Sequence, residues 1–119
     1  MEMKLFESEQ HVMEVIWEEG EVPAKEIVKV LKERIGWNKN TTYTVIKKCI
    51  EKNAIQRTEP GFMCKPLIAR EEFQSYELNE LITKTFNGSK SQFLSAFFEE
   101  NLSEKEIAEI EAMIHKKVK

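Results

Sequence analysis

Residues 37–52, WNKNTTYTVIKKCIEK, constrain this chain more than any other stretch. Thr42, Val45, Ile46 and Cys49 recur at i, i+3, i+4 and i+7, which puts them on one side of an α-helix. The polar turn Asn38-Lys39-Asn40 ahead of them can cap that helix. The other side then carries Asn40, Thr41, Tyr43, Thr44, Lys47, Lys48 and Glu51. It is hydrogen-bonding near its start and cationic further on. A helix that reads base edges in a DNA major groove needs donors and acceptors at its N-terminal end and cations near phosphate. An ordinary amphipathic helix with a solvated face meets the same spacing, so the flanking sequence has to decide.

Upstream, Ser8 is the expected cap of a first helix that runs to about Glu19. Val12, Met13, Val15, Ile16 and Trp17 form its apolar stripe, and Gly20 is its stop. Val22-Pro23 reads as a short extended link in which Val22 is free to pair as a one- or two-residue strand. Pro23 suits the start of a second helix. Ala24, Ile27, Val28, Leu31 and Ile35 recur at helical spacing there, and Gly36 ends it. Downstream of Asn53 the pattern changes to two short, roughly alternating runs, 55–58 and 62–65. Between them Glu59-Pro60-Gly61-Phe62 has proline and glycine where a type II turn prefers them. The expected fold class is mainly α: an N-terminal winged helix-turn-helix of three helices plus a β-hairpin, followed by a three-helix dimerisation region. In that arrangement the third helix enters the major groove and the hairpin flanks it along the backbone. Asn40, Thr41, Tyr43 and Thr44 are then assigned to base edges and nearby phosphates. Lys39, Lys47, Lys48 and Arg57 are assigned to phosphates, with Lys65 a further hairpin cation.

The rest of the chain is helical. Residues 70–86 carry Phe73, Tyr76, Leu78, Leu81, Ile82 and Phe86, and Asn87-Gly88 breaks them. Ser89-x-x-Gln92 and Ser103-x-x-Glu106 have the capping-box pattern and start two more helices. The first bears Phe93, Leu94, Phe97 and Phe98; the second bears Ile107, Ile110, Met113, Ile114 and Val118. The expected domains are 1–69, which binds DNA, and 70–119, which dimerises. A segment of 50 residues rarely buries enough surface to stand alone. Its apolar side chains therefore point to a second copy as their cover, through Phe73, Leu81, Phe86, Phe93, Phe97, Ile107, Ile110 and Ile114. A two-fold dimer presents two reading helices to a palindrome.

The net charge of −3 is unevenly spread. Residues 34–65 hold seven bases and two glutamates, a net +5, whereas residues 71–119 hold six lysines and ten glutamates, a net −4. Such asymmetry fits one surface turned to phosphate and another turned elsewhere. The N-terminus has no signal-peptide architecture and no apolar run is long enough to span a bilayer, so a cytoplasmic protein without membrane insertion is expected. Cys49 and Cys64, the only cysteines, are 15 positions apart with no CxxC neighbour, which suggests neither a zinc cage nor a disulfide framework. Cys49 falls on the apolar face; Cys64, on the hairpin, is expected to be partly exposed and open to redox chemistry. No glycine-rich phosphate loop, HExxH or GxSxG occurs, and no acid, base and nucleophile converge, so neither catalytic residues, a cofactor nor a metal site is expected and the chain does not read as an enzyme.

The ordered series of motifs resembles the penicillinase-repressor family, the BlaI/MecI/CopY group of bacterial winged-helix repressors. SEQHVMEVIWEEG looks like its E-x-x-V-M-x-x-[IV]-W opening. Trp37-Asn38-x-Asn40-Thr41 looks like its W-S-x-K-T, with Thr44 at the next threonine. Pro66-Leu67-Ile68 and Arg70-Glu71-Glu72-Phe73 look like the exit from the wing, Phe86-Asn87-Gly88-Ser89 like its F-G-G-[SD] break, and the segment from Leu102 to Ile110 like its last helix. The resemblance implies a homodimeric transcriptional repressor on a palindromic operator. It also implies, for one branch, a membrane-bound sensor protease as partner and cleavage within the dimer helices. The sequence departs from the family at four places. Asn40 replaces a lysine, Glu59-Pro60-Gly61 stands where the wing tip is often basic, Cys64 replaces a tyrosine, and Ala96-Phe97 occupies the cleaved Asn-Phe position. The tail also lacks the paired CxC motifs of the metal-sensing branch. Two rivals stay open: a small-molecule- or metal-responsive winged-helix regulator, and a winged helix that contacts only protein.

Overall fold

The computed structural model describes residues 3–118. The elements are α1 (Glu7–Glu19), β1 (Val22–Pro23), α2 (Ala24–Ile35), α3 (Lys39–Glu51), β2 (Ile55–Thr58), β3 (Met63–Pro66), α4 (Arg70–Thr85), α5 (Lys90–Phe98) and α6 (Glu104–Val118). This is the mainly helical, winged arrangement expected. The chain divides into two compact units, Met1–Leu78 and Asn79–Lys119.

In the first unit α1, α2 and α3 enclose a core in which Val12, Met13, Val15, Ile16, Ile27 and Ile46 are inaccessible to solvent. Burying each such side chain contributes about 1.5–3 kcal/mol. The expected cap of α1 is corrected: the N-cap is Phe6, not Ser8. Phe6 has no side-chain acceptor, and its own N–H donates to Glu9 Oε1 at 2.7 Å. The carboxylate reaching back, not a hydroxyl reaching forward, sets where the helix begins. In α2 the expected stripe runs one turn too far, since Ile35 is exposed. Gly36 ends that helix at φ 73°, a left-handed conformation in which a side chain is disfavoured. Gly36, Trp37 and Asn38 alone separate α2 from α3, the short glycine-bearing turn of a helix-turn-helix.

The sheet is antiparallel in the order β1-β3-β2, with Val22 opposite Cys64 and Cys64 opposite Arg57. Val22 does pair as a two-residue strand, which makes β3 the central strand. Residues directly opposite share a sheet face, so Val22 and the Arg57 stem flank Cys64. This corrects the expectation for Cys64, which is fully buried. The hairpin tip also differs from a plain type II turn: the Glu59–Pro60 peptide is cis, and positive φ extends from Gly61 to Phe62. The exit from the sheet is tied down. Trp17 Nε1–H donates to the Ile68 carbonyl at 2.9 Å, its ring lies 5.8 Å from that of Phe73, and Arg70 pairs with Glu14 at 3.0 Å.

The second unit is built on local caps. The Asn87-Gly88 break has positive φ at both residues. Ser89 Oγ accepts the Gln92 N–H at 3.1 Å. The box at Ser103 is reciprocal, with Glu106 N–H to Ser103 Oγ at 3.1 Å and Ser103 N–H to Glu106 Oε1 at 2.9 Å. These bonds hold the Glu106 carboxyl below its usual range. Ile82 is buried, and Phe86 meets Phe93 edge-on at 5.6 Å. No side chain of α5 or α6 is buried.

Candidate nucleic-acid interface

The capping of α3 follows its sequence. Asn38 is the N-cap, and its Oδ1 accepts the Thr41 N–H at 2.8 Å. Thr42, Val45, Ile46 and Cys49 are the buried residues of the helix, the four positions that the spacing selects. Thr42 Oγ1 donates to the Asn38 carbonyl at 3.3 Å, so the one hydroxyl on the inner face is satisfied. Lys39, Asn40, Thr41, Thr44, Lys47 and Lys48 are exposed along the outer side. With α3 turning 100° per residue, Asn40, Thr41, Thr44, Lys47 and Lys48 occupy one continuous arc opposite the core. Tyr43 sits at its margin, and Lys39, in the first turn, lies further round. Tyr43 is half-buried and its ring packs on Phe62 of the hairpin at 5.7 Å.

The basic segment divides once contacts are considered. Arg34 is paired bidentately with Glu18, both bonds at 2.9 Å; this raises the guanidinium pKa and lowers that of the carboxyl. Lys52 pairs with the buried Glu9 at 2.6 Å. Arg57 Nε donates to Glu59 Oε2 at 2.5 Å, and its guanidinium lies 3.6 Å from the Phe62 ring centre. Among the described residues, Lys39, Lys47, Lys48 and Lys65 have no acidic partner. The two cysteines are inert by contrast. Burial raises the Cys49 thiol to about 12, helped by the Glu9 carboxylate. Burial likewise raises Cys64 to about 11. Thiolate is the reactive form, so labelling of the native protein at pH 7 is expected to be slow at both thiols and to become fast on unfolding. Rapid native labelling of Cys64 would contradict its burial.

Of the residues expected to meet a second copy, Phe73 is withdrawn: it is buried in the first unit against Trp17. The others lie in the second unit. Leu81, Phe97, Ile107 and Ile114 are exposed there, and Phe86, Phe93 and Ile110 half-buried. Phe98, Leu102, Ile107, Ile110 and Ile114 line an apolar groove of about 350 Å³. Ala96 and Phe97, at the position the resemblance links to cleavage, are exposed on α5. Among the described residues no helix is long and apolar enough to cross a membrane, and no cluster of metal-ligating side chains occurs. Sequence reasoning missed Glu9–Lys52 and Arg57–Glu59. The first joins residues 43 positions apart and leaves no local signal; the second was signalled by opposite charges two residues apart on the hairpin.

The family model described as penicillinase repressor matches residues 5–116. The chain belongs to the penicillinase repressor family. It is 26% identical to the penicillinase repressor of Bacillus licheniformis over 110 residues, covering 90% of this chain and 86% of the relative. It is also 26% identical to the methicillin resistance regulatory protein MecI of Staphylococcus aureus strain N315, over 98% of this chain and 100% of the relative. The solution structure of the DNA-binding domain of the repressor BlaI is similar at a TM-score of 0.54 and 27% identity, over 58% of this chain and 87% of that domain. Within the penicillinase repressor family, the resemblance thus covers both the wing and the helices that follow it.

Proposed function

We propose that this chain is a DNA-binding transcriptional repressor, not an enzyme, that acts as a homodimer on a palindromic operator. The observation that carries the reading is the outer arc of α3: a side-chain-capped helix with Asn40, Thr41 and Thr44 exposed at its start and Lys47 and Lys48 beyond. Membership of the penicillinase repressor family and likeness to a repressor's DNA-binding domain support it. Asn40, Thr41 and Thr44 read base edges, with Tyr43 at the margin of the arc contacting nearby phosphate. Lys39, Lys47 and Lys48 neutralise phosphates, and Arg57 joins them with its charge offset by Glu59. The apolar side chains left open on α5 and α6 support a second copy as cover, so that two such arcs face one symmetric duplex. A sensor protease is the partner that the family resemblance suggests, although Ala96 stands in place of the asparagine.

The test compares two substitutions on a duplex selected in vitro with the wild-type chain and on an unselected random pool. Thr41→Ala is expected to weaken the selected duplex by about 1 kcal/mol and leave the pool nearly unchanged. Lys48→Ala is expected to weaken both alike and to flatten the salt slope by about 0.9. Equal losses on both DNAs for Thr41→Ala would remove its base-reading role.

A further inference from the structure

The wing tip and the recognition helix are joined by a stack. Tyr43 of α3 lies against Phe62, the Arg57 guanidinium lies on the Phe62 ring, and Glu59 holds the guanidinium by its edge. The second oxygen of Glu59 accepts the Phe62 N–H at 3.3 Å. One carboxylate thus fixes both the cation and the aromatic ring beneath it. The strand register explains why Arg57 lies there: it shares the inner sheet face with Ile55 and Cys64, whereas Lys65, opposite Gln56, is exposed on the outer face. We propose that Glu59 attenuates the wing's sequence-independent hold on backbone phosphate by pairing with Arg57 in the free protein. Glu59 takes the Nε–H and offsets the charge, so a phosphate that uses the remaining N–H groups meets a guanidinium already paired with a carboxylate, and the wing is seated against α3 instead of gripping the duplex backbone. The proposal rests on the DNA-binding reading above.

The chemistry is charge compensation. Whether Arg57 keeps Glu59 or turns to a phosphate, the carboxylate stays beside the polyanion. The net contribution of the tip to backbone attraction is then close to zero. Discrimination therefore falls on the α3 arc, because phosphate contacts add affinity without sequence information. The low pKa of Glu59, set first by Arg57 and then by the Phe62 N–H, agrees with a carboxylate that stays charged at neutral pH.

The experiment uses the full chain and four proteins: wild type, Glu59→Gln, Arg57→Ala and the double variant. Each is titrated with the selected duplex and the random pool over a range of salt. Arg57 and Glu59 are both exposed; because the Arg57 stem flanks Cys64, the melting temperature of each variant checks that the fold is kept before its binding is read. Glu59→Gln is expected to bind the selected duplex and the random pool alike about 2- to 5-fold tighter at low salt, with a salt slope steeper by about 0.9. The ratio of selected to random affinity should stay unchanged, and the gain should vanish in the Arg57→Ala background. A Glu59→Gln protein no tighter than wild type overturns the proposal. So does a gain that persists without Arg57, which would mark a bare field effect of the carboxylate. Wild type that shows no salt-dependent affinity for either DNA overturns the DNA-binding reading itself, and this inference with it; the first two outcomes leave that reading standing.

Discussion

Ile114→Arg is expected to leave the chain folded but single, and to lower its affinity for the selected duplex by about 100- to 10,000-fold. The side chain is 54% exposed and lines the apolar groove of the second unit, so an arginine there can turn its head to solvent in the isolated chain. In a two-fold dimer the same position is met twice across the axis, and two cations would have to be desolvated together. Losing the second reading helix removes the intramolecular second binding step, whose usual worth sets the expected range. Sedimentation at working concentration checks the first half and a duplex titration the second. A variant that remains dimeric with wild-type affinity would place the interface elsewhere or remove it.

Lys52→Ala is expected to cost about 2–3 kcal/mol of stability. Glu9 is 1% exposed, and its Oε1 accepts both the Lys52 ammonium and the Phe6 N–H. Lys52 further donates to the Lys4 carbonyl at 3.2 Å and lies 4.3 Å from the Phe6 ring centre. Removing one partner of a fully buried pair costs about 3–5 kcal/mol. Here Lys52 retains one-third exposure, which reduces the figure. The reverse change, Glu9→Gln, is expected to cost less, about 1 kcal/mol. The amide oxygen still accepts the Phe6 N–H, and a lysine left alone can turn to water. Urea midpoints of the two variants decide the order, and equal midpoints for Lys52→Ala and wild type would remove the pair from the account of stability. Against a total of about 5–15 kcal/mol for an ordinary domain, the larger loss is a sizeable share.

Helix α3 was legible in the sequence because its constraints are local. Asn38 caps it, and a 3.6-residue period separates Thr42, Val45, Ile46 and Cys49 from the polar arc; both act within a few residues. The reciprocal box at Ser103 and Glu106 was legible for the same reason. Charge was less legible. A count over residues 34–65 treats Arg34, Lys52 and Arg57 as open to phosphate, yet each is held by a carboxylate. Two of those carboxylates, Glu18 and Glu9, come from α1 and reach the cations only through tertiary packing. Cys64 was misplaced because the alternation of a hairpin does not say which strand a third will join. Once Val22 pairs with β3, the thiol lies in the middle of a three-residue row and is covered from both sides. Ser8 lost the cap of α1 to a competing carboxylate, a choice that depends on where Lys52 arrives.

The two tryptophans report on different parts of the molecule. Trp17, hydrogen-bonded to Ile68 and packed with its ring tilted against Phe73, is bound up with the seating of the first turns of α4. Trp37, edge-on to His11 at 5.8 Å, stands in the turn that leads into α3. The chain therefore carries two intrinsic indole fluorophores, one against the first turn of α4 and one at the entrance to α3. Silencing either by Trp→Phe leaves the other as a single-site optical probe.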